Sequence, residues 1–144
     1  MESDLPWIPG ALRELLLFDP DFTAACHGRV STKAPSDVVT PFALARPMVN
    51  SVIPLDGGGY KVMVQVDGNC ASGGYGGEEA EVITWRIADR AKRVFLRSRN
   101  VEYQTMHYSM RVVGLGPLPV DVSRGESSPL DRAGVRAEMT IHNI

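Results

Sequence analysis

The residues that come nearest to a chemical site lie in DGNCASGGYGGEEAEVITW, positions 67 to 85, where glycines crowd a turn just ahead of a helical pattern. Backbone N–H groups converging at a helix N-terminus would cradle a phosphate, and a lysine and a hydroxyl would complete a nucleotide site. GGYGGEEAE lacks the G-K-[ST] ending, and Glu78 and Glu79 place carboxylates where the anion would sit. No G-x-G-x-x-G spacing fits and no second βαβ unit follows, which removes the dinucleotide fingerprint as well. What remains is a mobile loop with Tyr75 at its tip, able to fold against a partner or simply to connect a strand to a helix.

The other reactive side chains are dispersed. His27, His107 and His142 are far apart in sequence, and the last two fall on polar strand faces with no carboxylate or cysteine at ligand spacing, as surface histidines do. Cys26 and His27 are neighbours in the chain, which points them in different directions, and Cys70 stands alone, so both cysteines are expected as free, buried thiols. No G-x-S-x-G occurs, and Glu78, Glu79 and Glu81 suit the positive end of a helix dipole better than acid catalysis. The expectation is a protein that is not an enzyme and takes no cofactor or metal.

Charge is unevenly spread. The 144 residues carry a net charge of −2, yet Arg86, Arg90, Lys92, Arg93, Arg97, Arg99 and Arg111 meet only Asp89 and Glu102, leaving this segment at +5. The arginines lack interleaved aromatics and recognition-helix motifs, so a nucleic-acid reader is not indicated. Arginine forks pair well with carboxylates at protein interfaces, and the acidic N-terminal region of a neighbouring copy could supply those carboxylates. No apolar run approaches the roughly 18 residues of a membrane span, and MESDLPWIPG is acidic where a secretory signal is basic, so a cytoplasmic product is expected.

The elements that must position these residues follow from periodicity. One domain, 1–144, is the expectation for this length. Leu12, Leu15 and Leu16 mark a short N-terminal helix after Pro9, and Asp19-Pro20 caps a second, ended by His27-Gly28. PFALAR and PMVNSVI are proline-bounded extended pieces, suited to an edge strand and a hairpin arm. YKVMVQVD alternates, with Tyr60, Val62, Val64 and Val66 on one face and only Met63 out of pattern. From Glu78 to Arg97 the period becomes helical, with Ile83, Ile87, Ala91, Val94 and Phe95 as the apolar stripe. VEYQTMHYSMRVV and GVRAEMTIHN return to period two, and the twenty residues GLGPLPVDVSRGESSPLDRA between them are expected as a long loop with one short strand at VDV. The fold class is α+β: an antiparallel or mixed β-sheet with one long helix packed across a face and a short N-terminal helix.

Taken together, LPWIPGALRELLLFDPDFTAACHGRVSTKAPSD, the strand YKVMVQVDGNC, the glycine loop, the helix EEAEVITWRIADRAKRVFL and the ending GPLPVDVSRGESSPLDRAGVRAEMTIHN resemble the tail terminator (tail-completion) family of long-tailed bacteriophages. The resemblance covers nearly the whole chain and rests on the pattern of elements, not on signature residues. It implies a hexameric ring of identical copies that caps the tail tube, stops its polymerisation and meets the head-completion or stopper proteins. DNA would only pass through the lumen, and no membrane is involved. The location implied is the head-proximal end of the virion tail, after assembly in the host cytoplasm. The expected protein interface comprises Tyr75, Glu78, Glu79, Arg86, Arg90, Arg93, Arg97, Pro117 and Arg124. The alternatives are a head-to-tail stopper or tail-tube protein of the same virion, or, from a different class, a small-ligand binding domain with the Gly68 to Gly77 loop as a lid.

Overall fold

A computed structural model describes residues 5–123 and 129–142 of the chain. Helix α1, Ile8–Leu17, buries Ile8, Ala11, Leu12 and Leu16 along one side. Helix α2, Pro20–Cys26, starts as its sequence dictates: the Asp19 carboxylate accepts the Phe22 N–H at 2.9 Å, and Pro20 occupies a position where no N–H is needed. It ends in His27, which adopts the left-handed conformation, followed by Gly28 in the same region.

Seven strands form one mixed sheet: β1 (Val30–Ser31), β2 (Phe42–Pro47), β3 (Ile53–Pro54), β4 (Tyr60–Ala71), β5 (Val101–Tyr103), β6 (Met106–Asp121) and β7 (Leu130–His142). Their order is β1-β2-β4-β7-β6-β5, with β3 paired to β4. Every pairing is antiparallel except that of β1 with β2. β2 therefore lies inside the two-residue β1 and does not form the edge expected of PFALAR. Helix α3, Ala80–Arg97, packs against β4, β6 and β7, while α1 packs against β1 and β2. Between helices and sheet lies the main core, in which Leu12, Phe22, Val64, Ile87, Phe95, Val135 and Met139 are fully buried.

The alternation in β4 and β7 is as expected: Val62, Val64, Val66, Val135, Ala137, Met139 and Ile141 all point into this core. Four boundaries differ. β4 continues through Gly68, Asn69, Cys70 and Ala71, paired with β7 throughout and with β2 as far as Asn69, and at Gly68 the backbone of α3 leaves no room for a Cβ. α3 begins at Ala80, two residues late, because Glu78 is held by the preceding turn. The long loop after Val113 is mostly strand: β6 runs on to Asp121, paired with β7 from Gly114↔Arg136 to Asp121↔Leu130, with one register shift just before Gly114 and another between Leu118 and Asp121. Pro117 is tolerated there because β5 covers only Met106–Tyr108, so the far side of this stretch needs no ladder donor. VEYQTMHYSMRVV is likewise two strands, β5 and β6, turning at Gln104 and Thr105.

Candidate functional site

The glycine stretch is an ordered turn. Tyr75 and Glu78 exchange backbone hydrogen bonds of 3.1 and 3.0 Å around Gly76 and Gly77, whose φ angles of 61° and 83° suit a two-residue hairpin turn. The tip is thus Gly76-Gly77, and Tyr75 sits at its base with its ring edge-on to His27, centroids 5.1 Å apart. Arg86 grips both carboxylate oxygens of Glu78, one at 2.9 Å and the other closer still. That donation holds the Glu78 carboxyl below its ordinary value. Arg90 donates to the Asp21 carbonyl of α2 at 2.8 Å. Tyr75, Glu78, Arg86 and Arg90 line one hollow of about 270 Å³, together with His27, Pro41 and Ile83.

The remaining arginines of α3 lie further along its outer face. Arg97 meets Asp19 at 3.0 Å, so one carboxylate both caps α2 and pairs with α3. Asp89 accepts from Lys92 at 2.7 Å and from Arg93 at 2.8 Å, which depresses its carboxyl. Carboxylates for this basic helix thus come from its own chain, yet the side chains of Arg93 and Arg97 remain 62% and 64% exposed. Glu79 is exposed at the helix start and makes no capping hydrogen bond through its side chain.

Pro117 lies apart from this group, on the β6–β7 arm. With Leu118, Val120 and Ala133 it faces Trp85 of α3 across a groove of about 380 Å³, rimmed by Glu81, Thr84, Asp131 and Arg132. Trp85 and Val120 are about half exposed. Trp85 was open to notice in the sequence as an aromatic off the apolar stripe of α3; Val120 was hidden in the expected loop. Arg124 lies outside the described residues.

The sheet face away from the helices holds a second polar group. Asp67 is buried, accepts from Gln65 at 2.7 Å, and has Arg132, Arg46 and Arg136 nearby. Burial pushes its carboxyl up, against the lowering by Gln65 and the arginines. Phe42, Leu44 and Leu130 form a small apolar cluster on the same face.

The chain is similar to one in the solved structure of the virion of a native gene transfer agent particle, with a TM-score of 0.58 over 93% of both chains at 14% identity. The two share a fold. Neither a protein-family model nor a curated protein sequence matches the chain.

His107 and His142, remote in sequence, are register partners on β6 and β7, with ring centroids 6.4 Å apart and His142 Nδ1 3.2 Å from the His107 carbonyl oxygen. Among the described residues, no three of His, Cys, Asp and Glu gather where they could hold a metal ion. Cys26 and Cys70 are free and buried, and burial raises both thiols. No described helix is long and apolar enough to cross a membrane. What the surface offers is arginine forks, exposed aromatics and apolar grooves, the means by which proteins meet proteins.

Proposed function

We propose that the chain is a structural protein of a phage-like virion, without enzymatic activity, and that within the tail it acts as the terminator. The observation that carries this reading is the fold similarity, spanning 93% of both chains, to a component of a gene transfer agent virion. The sequence resemblance to tail terminators supplies the finer role. In this reading the long helix laid across the sheet is the frame of a subunit in a homo-hexameric ring. The ring caps the tail tube, halts its polymerisation and presents its other side to the head-completion or stopper protein, with DNA passing through the lumen. The faces bearing Tyr75, Glu78, Glu79, Arg86, Arg90, Arg93, Arg97, Pro117 and Arg124 make the protein contacts. The site is the head-proximal end of the tail, reached after assembly in the host cytoplasm.

Electron microscopy of particles assembled without this protein tests the role. Overlong, headless tails are expected. Normal-length tails beside unattached heads would move the role to the head-side joint, and intact particles would refute a structural role altogether.

A further inference from the structure

We propose that Pro117 and Pro119 close the open edge of β6 to strand addition, so that copies of this chain meet through side chains and not through a shared β-ladder. The inference concerns the single subunit and holds whatever role the particle gives it.

Sheet edges carry unpaired N–H and C=O groups that recruit further strands unless the edge is short, covered or interrupted. The two end strands of this sheet are short, β1 being Val30–Ser31 and β5 Val101–Tyr103. The first part of β6 is covered. β5 pairs with it from Met106 to Tyr108, and the segment after α3 takes over from there. Met110 N–H donates to the Ser98 carbonyl at 3.0 Å, Asn100 N–H to Ser109 Oγ at 2.9 Å, and Arg99 to the Met110 carbonyl at 2.6 Å. From Val112 to Val120 no described residue forms a ladder on that side, a stretch longer than an ordinary strand of roughly 5–6 residues. Val113 and Val120, side chains that strands favour, are 50% and 51% exposed within it. Left plain, such an edge would template a strand of another copy.

The phase of the backbone shows how the edge is interrupted. Along an antiparallel strand, successive residues direct their N–H and C=O groups to alternate sides. Met110 directs its N–H away from β7, to Ser98. The register shift between Val112 and Gly114 reverses the phase, so Gly114, Gly116 and Leu118 address β7 while Leu115 and Pro117 address the open side. Pro117 can stand in register with Ala133 for this reason, since it has no N–H to give β7. On the open side the row of donors therefore has Leu115 and then stops. Pro119 follows where the register shifts again, lacks an N–H as well, and has its carbonyl taken by Arg132 Nε at 3.0 Å. A strand approaching this edge would leave its own carbonyls without donors, at the desolvation cost of each.

Amide hydrogen exchange and sedimentation velocity test this. In the parent, the Leu115 amide should exchange at least tenfold faster than that of Gly116 once intrinsic rates are allowed for. Slow exchange at Leu115 would overturn the proposal, because the edge would already be covered. Pro117→Val with Pro119→Val restores both donors. With a circular dichroism spectrum matching the parent, this variant is expected to self-associate at a concentration at least tenfold below the parent's, with Leu115 exchange slowed to match. Adding Val113→Lys, a charge on the same edge, should return it to the parent's behaviour. Association equal to the parent's would overturn the proposal. Association that leaves Leu115 exchange fast would overturn it too, since the contact would then lie elsewhere. The exchange pattern of the parent decides the matter if the variant fails to fold.

Discussion

Gly68→Ala tests the packing on which both the helix and its surfaces depend. Gly68 lies in β4 between Ala43 of β2 and Ala133 of β7, directly under α3. A Cβ there would come within 2.6 Å of the Thr84 carbonyl oxygen and 2.8 Å of the Ile87 Cβ. Neither atom is the free end of a flexible side chain, so the helix itself must lift, and with it Trp85 between those two residues. Overpacking of this kind costs about 1–3 kcal/mol. The upper part of that range applies because one clash is with backbone. Against it stands the roughly 0.5–1 kcal/mol that alanine gains over glycine within a strand. The expected net loss is about 2 kcal/mol, or roughly 4–8 °C in Tm for a chain of this length. Gly114→Ala is the control: a Cβ there meets nothing within 4 Å, so its stability should stay equal or rise by up to about 1 kcal/mol. Urea titrations followed by circular dichroism measure both. A loss below about 0.5 kcal/mol for Gly68→Ala, with Gly114→Ala unchanged, would refute the close approach of α3 to β4.

Asp19→Ala removes a helix cap and an ion pair together and should cost about 1–2 kcal/mol, whereas Arg97→Ala, which removes only the exposed pair, should cost less than about 0.5 in the same titration. Asp67→Asn addresses the buried carboxyl. Because burial raises its value above the ordinary 3.8, the charged form weakens the folded state as pH rises through the folded value, while below 3.8 that cost is absent. The asparagine variant should therefore gain on the parent as titrations move from pH 3 to pH 7, and a parent that gains instead would show the arginines outweighing burial. Cys26 and Cys70 should react with a thiol reagent slowly in buffer and rapidly in urea, and fast reaction of the native protein would contradict their burial.

The legible parts of the fold were those in which local pattern and tertiary role coincide. Asp19-Pro20 caps α2 by contacts within four residues, and the valines of β4 alternate because one face of that strand meets the core. The illegible parts were set by partners far along the chain. Gly68 looked like the start of a loop because its reason for being glycine, the carbonyl of Thr84 above it, is a contact between elements. Gly114, Gly116 and Pro117 looked like a loop because, among the described residues, strand β6 has a ladder partner there on one side only, β7, which tolerates residues a central strand excludes. The hollow at Tyr75, Glu78, Arg86 and Arg90 was half legible: four of its residues were named, but His27 enters only because α2 ends beside the turn. Trp85 was missed because its partner residues lay in the supposed loop.

The basic face of α3 is where the intrachain contacts and the proposed assembly make separable demands. Arg90 fastens α2 to α3 through the Asp21 carbonyl, so its loss would disturb fold and interface together. Arg93 is cleaner. It pairs with Asp89, which also holds Lys92 at 2.7 Å, and its side chain is 62% exposed. Arg93→Ala should therefore change stability by less than about 0.5 kcal/mol. If the face meets carboxylates of a neighbour, the same variant should weaken ring assembly several-fold at low salt. The difference from the parent should then shrink as ionic strength approaches 1 M, where the Debye length falls to about 3 Å. Sedimentation velocity at low and high salt reads both effects. Assembly of Arg93→Ala and of the Arg90→Ala/Arg93→Ala pair equal to the parent at low salt would remove this helix face from the interface.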